Sequence, residues 1–267
     1  MLHAISGVSI MAQPTAAIVL AAGKGTRMQS DLPKVLHRAA DRSLARWVFD
    51  ACSDAGAAPI VLVVGYGDAQ VRSEFAGEAA ACFARQEEQL GTGHAVQQAE
   101  AIVRDSGAHD VFVLCGDGPL IRPDTLRQLR DQRRIAGAAC ALATATLPDP
   151  SGYGRVVRDE AGRFQSFVEE KNASAAQRAI CEINPSYYCF AVDALFAALR
   201  DVVRDPVSGE FYLTDVPPML AARGMVVEVV EGLTSEDAAS VNTVEHLGEA
   251  ERVLRARLNG AMTQGES

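Results

Sequence analysis

The chain has 267 residues, 48% apolar and 22% charged, which excludes a disordered, collagen-like or low-complexity polymer. Its 25 basic and 34 acidic residues leave a formal charge of −9, so neither nucleic acid nor an anionic membrane is an expected partner. The longest purely apolar run, residues 16–22, falls far short of the ~20 residues that span a bilayer.

Residues 1–14 read as a disordered extension, with Met11 a plausible natural start; MLHAISGVSIM lacks a basic leader region and a cleavage site. Residues 16–20 (AAIVL), 60–64 (IVLVV) and 111–114 (VFVL) are unbroken apolar runs, the pattern of strands buried on both faces of a parallel sheet. Another strand is expected at 81–85. Leu44, Trp47, Val48, Ala51 and Ala55 follow helical spacing, with Ser43 placed as N-cap and Gly56 just past the end. Ala95, Val96, Ala99, Ile102 and Val103 form the inner face of a second helix. Alternating strands and helices predict an α/β fold, a doubly wound, Rossmann-like mixed sheet.

Beyond residue 138 the pattern becomes β-rich. Strands are predicted at 138–147, across 155–168 with turns at 151–154 and 159–162, at 181–191, and at 225–230. These would form a smaller lobe over the sheet edge. Residues 241–258 carry apolar positions at 244, 247, 254 and 258, predicting a terminal amphipathic helix, and 259–267 a frayed tail. The main domain is thus 15–240. Six scattered cysteines with no C-x-x-C pair read as thiols of a cytoplasmic protein.

The first strand runs into Ala21-Ala22-Gly23-Lys24-Gly25-Thr26-Arg27-Met28. Two glycines after a buried strand let backbone N–H groups close on an anion at the carboxyl edge of the sheet. Neither a dinucleotide fingerprint, which needs glycine where Met28 stands, nor a Walker loop fits. Lys24, Arg27, Lys34 and Arg38 bring four cations against the single Asp31, which favours a polyphosphate site over a solvated basic loop. Pro33 stiffens the approach to Lys34.

Gln86 leads the segment Gln86–His94, whose Gly91 and Gly93 permit close backbone approach; its amide offers the donor and acceptor that a nucleobase edge requires. Ordinary capping by Thr92 is the plainer alternative. His94 is expected to line the pocket or serve structure, because no second metal-binding side chain lies at ligand spacing. Asp117, between Gly116 and Gly118, ends a buried strand. Alone it would cap a turn; beside a triphosphate site it suits a hard divalent cation. Asn242 is the candidate second ligand, with an N-cap role as the alternative. Gly154 could face a ligand, and Glu169 and Asn184 could bind sugar hydroxyls, against plain turn and strand-end roles.

Taken in order, L-A-A-G-K-G-T-R-M…L-P-K, Q-x-x-Q-L-G-T-G-H-A, G-D-x-P-L, G-Y-G-R, V-E-x-K, E-I-N, E-F-Y-L-T-D and V-N resemble the sugar-1-phosphate nucleotidylyltransferases. The likeness is nearest to the pyrophosphorylase half of bacterial N-acetylglucosamine-1-phosphate uridylyltransferases and covers residues 15–258. It implies a GT-A-type nucleotidyltransferase with a β-rich sugar-binding lobe. By this resemblance Leu20, Ala21, Ala22, Gly23, Gln86, Gly91 and Thr92 bind the nucleotide, and Arg27 and Lys34 act on its phosphates. Asp117 and Asn242 hold Mg²⁺, while Gly154, Glu169 and Asn184 contact the sugar. The implied partners are UTP and a sugar 1-phosphate. Two departures touch the sugar-nucleotide pocket: Pro185-Ser186-Tyr187 after Asn184, and Cys115 where an aromatic residue is frequent.

Overall fold

The computed structural model describes residues 13–264. Its strands are β1 (Thr15–Ala21), β2 (Arg38–Ala39), β3 (Arg42–Ser43), β4 (Ile60–Val64), β5 (Ala81–Arg85), β6 (Asp110–Cys115), β7 (Cys140–Thr146), β8 (Gly154–Arg158), β9 (Phe164–Val168), β10 (Glu182–Asn184), β11 (Tyr188–Ala191) and β12 (Val227–Leu233). The helices are α1 (Leu44–Asp54), α2 (Asp68–Glu74), α3 (Thr92–Gln98), α4 (Glu100–Asp105), α5 (Pro123–Ala136), α6 (Ala175–Arg178), α7 (Val192–Leu199), α8 (Val216–Ala222) and α9 (Val244–Gln264).

Ten strands form one mixed sheet in the order β5-β4-β1-β6-β11-β7-β10-β8-β9, with β12 also paired to β7; β2 and β3 form a separate ribbon. The unbroken apolar runs explain its centre. Ile60, Leu62 and Val64 enter one core, with Ala17, Val19, Phe112 and Leu114. Val61 and Val63 enter the other, with Ala16, Ile18, Val111 and Val113. Side chains alternate across a strand, so both faces of β1, β4 and β6 must be apolar. Ser43 caps α1 as expected, its hydroxyl accepting from the Arg46 N–H, and Gly56 follows with φ +84°.

Several boundaries differ from expectation. The helix expected through 95–103 is divided at Ala99 into α3 and α4. The single strand expected over 181–191 is two. Ser186 takes a left-handed φ of +64° and its N–H bonds to the Asn184 side chain, which turns the chain between neighbouring ladders. β10 therefore pairs with β7 and β8, whereas β11 pairs with β6 and β7. The β-rich half thus continues the parallel half within one sheet. The terminal helix starts at Val244 rather than 241, since the Val241 N–H donates to the Asp117 carbonyl, and it continues beyond 258. Residues 1–12 and 265–267, which belong to the expected extension and tail, lie outside the described residues.

α9 is anchored on apolar and ionic contacts together. Ala250, Val253 and Leu254 pack with Met28, Leu44, Leu120 and Val241. Asp237, 5% exposed, receives Arg122 Nε at 2.9 Å and Arg257 Nη2 at 2.5 Å. Among the described residues no helix is long and apolar enough to cross a membrane.

Candidate active site

Strand register sets the site. Leu20 of β1 lies opposite Val63 and Cys115, and Val64 lies opposite Arg85, so β1, β4, β5 and β6 end at one level. The loops at Gly23, Gly65, Gln86 and Asp117 therefore leave the same carboxyl edge. β1 sits where the winding direction reverses, between β4 and β6, which is where open α/β sheets bind ligands. Backbone bonds fix these loops together: Gly116 N–H to Leu20 O at 2.9 Å, and Tyr66 N–H to Ala22 O at 3.0 Å.

A cleft of about 250 Å³ opens there. Leu20, Ala22, Gly23, Lys34, Gln86, Gly91, Thr92 and Asp117 all line it, as do Gln89 and Glu210, which the sequence did not single out. The Q-x-x-Q spacing and the E-F-Y-L-T-D motif were the available signals for that pair. Ala21 differs from its neighbours in that its methyl group is buried in the core.

Arg27, Lys34, Asp117 and Asn242 converge. Arg27 Nη2 and Lys34 Nζ each donate to Asn242 Oδ1 at 3.0 Å, and Lys34 Nζ is ion-paired with Asp117 Oδ2. The other two cations of the segment point elsewhere. Lys24 lies 5.2 Å from the Tyr66 ring centre, and Arg38 is exposed on β2. Gly25 (φ +71°) is required here, because a Cβ would overlap the Lys34 side chain. Asn242 does not cap α9. Thr243 Oγ1 accepts from the His246 N–H, leaving the Asn242 oxygen to the two cations.

Two oxygens gathered about one cationic nitrogen are donors of the type a hard divalent ion takes, though too few to complete its shell. No group of three or more His, Cys, Asp or Glu suited to a metal occurs among the described residues. Asp117 and Asn242 would supply two ligands, with phosphate oxygens and water as the usual complement for Mg²⁺. Burial, reinforced by the Asp117 carboxylate, pushes the nearby Cys115 thiol up to about 12, so it stays protonated and is no nucleophile.

Thr92 does not take up the capping role that was the plainer alternative for it. Gly91 precedes α3 with φ +98°, while Thr92 Oγ1 accepts from the Leu213 N–H at 3.0 Å. A side chain at 91 would bring a Cβ within 2.6 Å of the Phe211 carbonyl. Gly154, Glu169 and Asn184 gather apart from the cleft lining: Gly154 pairs with Asn184, and a Cβ on it would lie 3.6 Å from Glu169 Oε1. Asn184 is 7% exposed and largely engaged, donating to Tyr188 Oη at 2.6 Å and accepting from the Ser186 N–H at 3.0 Å.

A family model for the MobA-like NTP transferase domain matches residues 17–210. The chain belongs to that family. Among curated relatives of this NTP transferase is the bifunctional protein GlmU of Pelobacter propionicus, 46% identical over 245 residues, covering 91% of the chain and 53% of the relative. GlmU of Geobacter metallireducens is 43% identical over 244 residues (91% and 51%), and that of Anaeromyxobacter dehalogenans 46% over 248 residues (92% and 50%). The chain thus spans about half the length of these relatives.

Proposed function

We propose that this NTP transferase moves a uridylyl group from UTP to a sugar 1-phosphate, foremost N-acetylglucosamine 1-phosphate. The products would be UDP-N-acetylglucosamine and pyrophosphate. The observation that carries this is the meeting of Arg27, Lys34, Asp117 and Asn242 beside a cleft lined by Gly23 and Gln86. A sugar-phosphate oxygen attacks the α-phosphorus in line; the new O–P bond forms as the bond to the pyrophosphate oxygen breaks. That nucleophile is already anionic, so no general base is needed, and positioning with charge neutralisation supplies the catalysis. Arg27 and Lys34 stabilise the departing pyrophosphate. Mg²⁺ held through Asp117 and Asn242 would neutralise charge on the phosphate oxygens. Six free cysteines support a reducing, cytoplasmic setting for this chemistry.

Asn184 favours a second reading of the acceptor alone. Its amide is spent on Tyr188 and Ser186, which leaves less for a sugar hydroxyl and keeps other sugar 1-phosphates in play. Pyrophosphate release across a matrix of nucleoside triphosphates and sugar 1-phosphates tests both. Maximal turnover is expected with UTP and N-acetylglucosamine 1-phosphate, and its abolition by EDTA. Equal turnover in EDTA would remove the metal, and no turnover with any pair would leave a binding protein.

Lys34 has a double role on this account, since its ammonium must exchange Asp117 and Asn242 for phosphate oxygens when nucleotide arrives. Lys34→Ala is expected to raise KM for UTP about tenfold or more, as loss of a charged contact requires. It should also tighten the binding of Mn²⁺ alone, read by electron paramagnetic resonance, because the competing cation is gone. Unchanged steady-state constants for UTP would discredit the phosphate role.

A further inference from the structure

His94 falls outside every role assigned so far, yet it holds the one side chain that faces a nucleobase on the reading above. Gln86 closes β5 with its N–H on the Val64 carbonyl at 2.8 Å, and the residue is only 3% exposed. Its Nε2 donates to the Gly91 carbonyl at 3.0 Å and lies 3.1 Å from His94 Nδ1. A carbonyl accepts and never donates, so the nitrogen must face Gly91. The second amide hydrogen then meets His94 Nδ1, which must carry a lone pair, with the imidazole proton on Nε2. Both donors are consumed. Oε1 remains, without a hydrogen-bond partner among the described residues, on a side chain that lines the cleft.

The frame around this pair is rigid. The Gly91 segment is laced to the loop at Phe211, whose N–H donates to Leu90 O and whose carbonyl accepts from Gly93 N–H, each at 2.8 Å. Gln98 Nε2 donates to the His94 carbonyl at 3.0 Å, fixing the first turn of α3.

We propose that His94 is a positioning residue that, with the Gly91 carbonyl, holds the Gln86 amide as a pure acceptor toward the cleft and so selects a pyrimidine bearing N3–H. Uracil and thymine meet Oε1 with a donor; cytosine presents a lone pair at the same ring position. The proposal rests on the nucleotide assignment of this cleft but not on uracil in particular. A site built to accept a hydrogen bond rejects a base that cannot donate it, because the acceptor is then left buried and unpaired.

Calorimetry of UTP, dTTP and CTP with magnesium, without sugar phosphate, tests this on the full chain. Wild type is expected to bind UTP more tightly than CTP. His94→Phe, which keeps bulk and removes the acceptor, should shrink the UTP-to-CTP ratio about tenfold. His94→Asn places an oxygen near the former Nδ1 and should keep the ratio within about threefold of wild type. An unchanged ratio in His94→Phe, or an equal loss in His94→Asn, overturns the proposal. Should His94→Phe fail to fold, two wild-type measurements decide: 3-methyl-UTP should bind at least tenfold more weakly than UTP, and nitrogen NMR should show the Nε2–H tautomer of His94. Equal binding of 3-methyl-UTP, or the opposite tautomer, overturns it. Tighter binding of dTTP than UTP would refute the uridylyl assignment, and the His94→Phe ratio against CTP would then decide the His94 role with dTTP in place of UTP.

Discussion

Asp117→Asn is expected to lower kcat by about 10²-fold or more, the scale of losing one electrostatic contact made to the transition state. The substitution keeps the shape of the side chain and one oxygen, and it leaves Gly116 and Gly118 undisturbed, so the loss isolates charge. Two consequences combine. The site would lose the anion that pairs with Lys34, and it would lose the stronger of the two oxygen ligands proposed for the metal. KM for UTP should move far less than kcat, because the cleft walls at Leu20, Gln86 and Gly91 are untouched. Steady-state pyrophosphate release measures both constants. A rate near wild type would take Asp117 out of the chemistry.

Asp110→Asn should act in the opposite sense, on stability and not on rate. Asp110 is fully buried, ion-paired with Arg133 and bonded by Arg134 Nε at 2.6 Å, and Arg134 also reaches Thr15 Oγ1 at 3.2 Å. Removing one partner strands the other charges in a medium that solvates them poorly, at about 3–5 kcal/mol. At roughly 2–4 °C per kcal/mol for a chain of this size, Tm should fall by about 6–20 °C. Thr15 and Asp110 pair at the opposite end of β1 from the cleft, about 20 Å away at the usual rise per residue. KM for UTP at 25 °C is therefore expected to stay within about twofold of wild type. Thermal melting beside steady-state kinetics checks the pair of outcomes. A melting point within 2 °C of wild type, on the same scale, would show that the buried cluster carries little stability.

The parallel half of the sheet was legible because its apolar runs are short and rich in Val and Ile, which favours a strand covered on both sides over a buried helix. Leu20, Gly23 and Asp117 followed from that, since the ends of such strands mark the ligand edge. The turn between β10 and β11 was not legible, for its left-handed residue is Ser186 and not glycine. Asn242 was visible as a candidate but equally as a helix cap, and only the tertiary approach of Arg27 and Lys34 separates the two roles. The local excess of cations around Lys34 was readable as charge. Which of them would reach Asp117 was not, because Gly25 governs that approach through space. His94 was legible only as a pocket-lining or structural residue at a helix start; its contact with Gln86 spans one loop that is hydrogen-bonded to Phe211.

Asn242 reaches Arg27 across 215 positions of sequence, from the segment that α9 pins down through Arg257 and Asp237. If Asn242 acts as proposed, the parallel strands and the glycine turn of a growing chain would stay incompetent until the segment around residue 242 had emerged and docked. On the proposal that Asn242 serves the reaction, a cut ahead of residue 242 should disarm the transferase while leaving the walls of the nucleotide cleft in place.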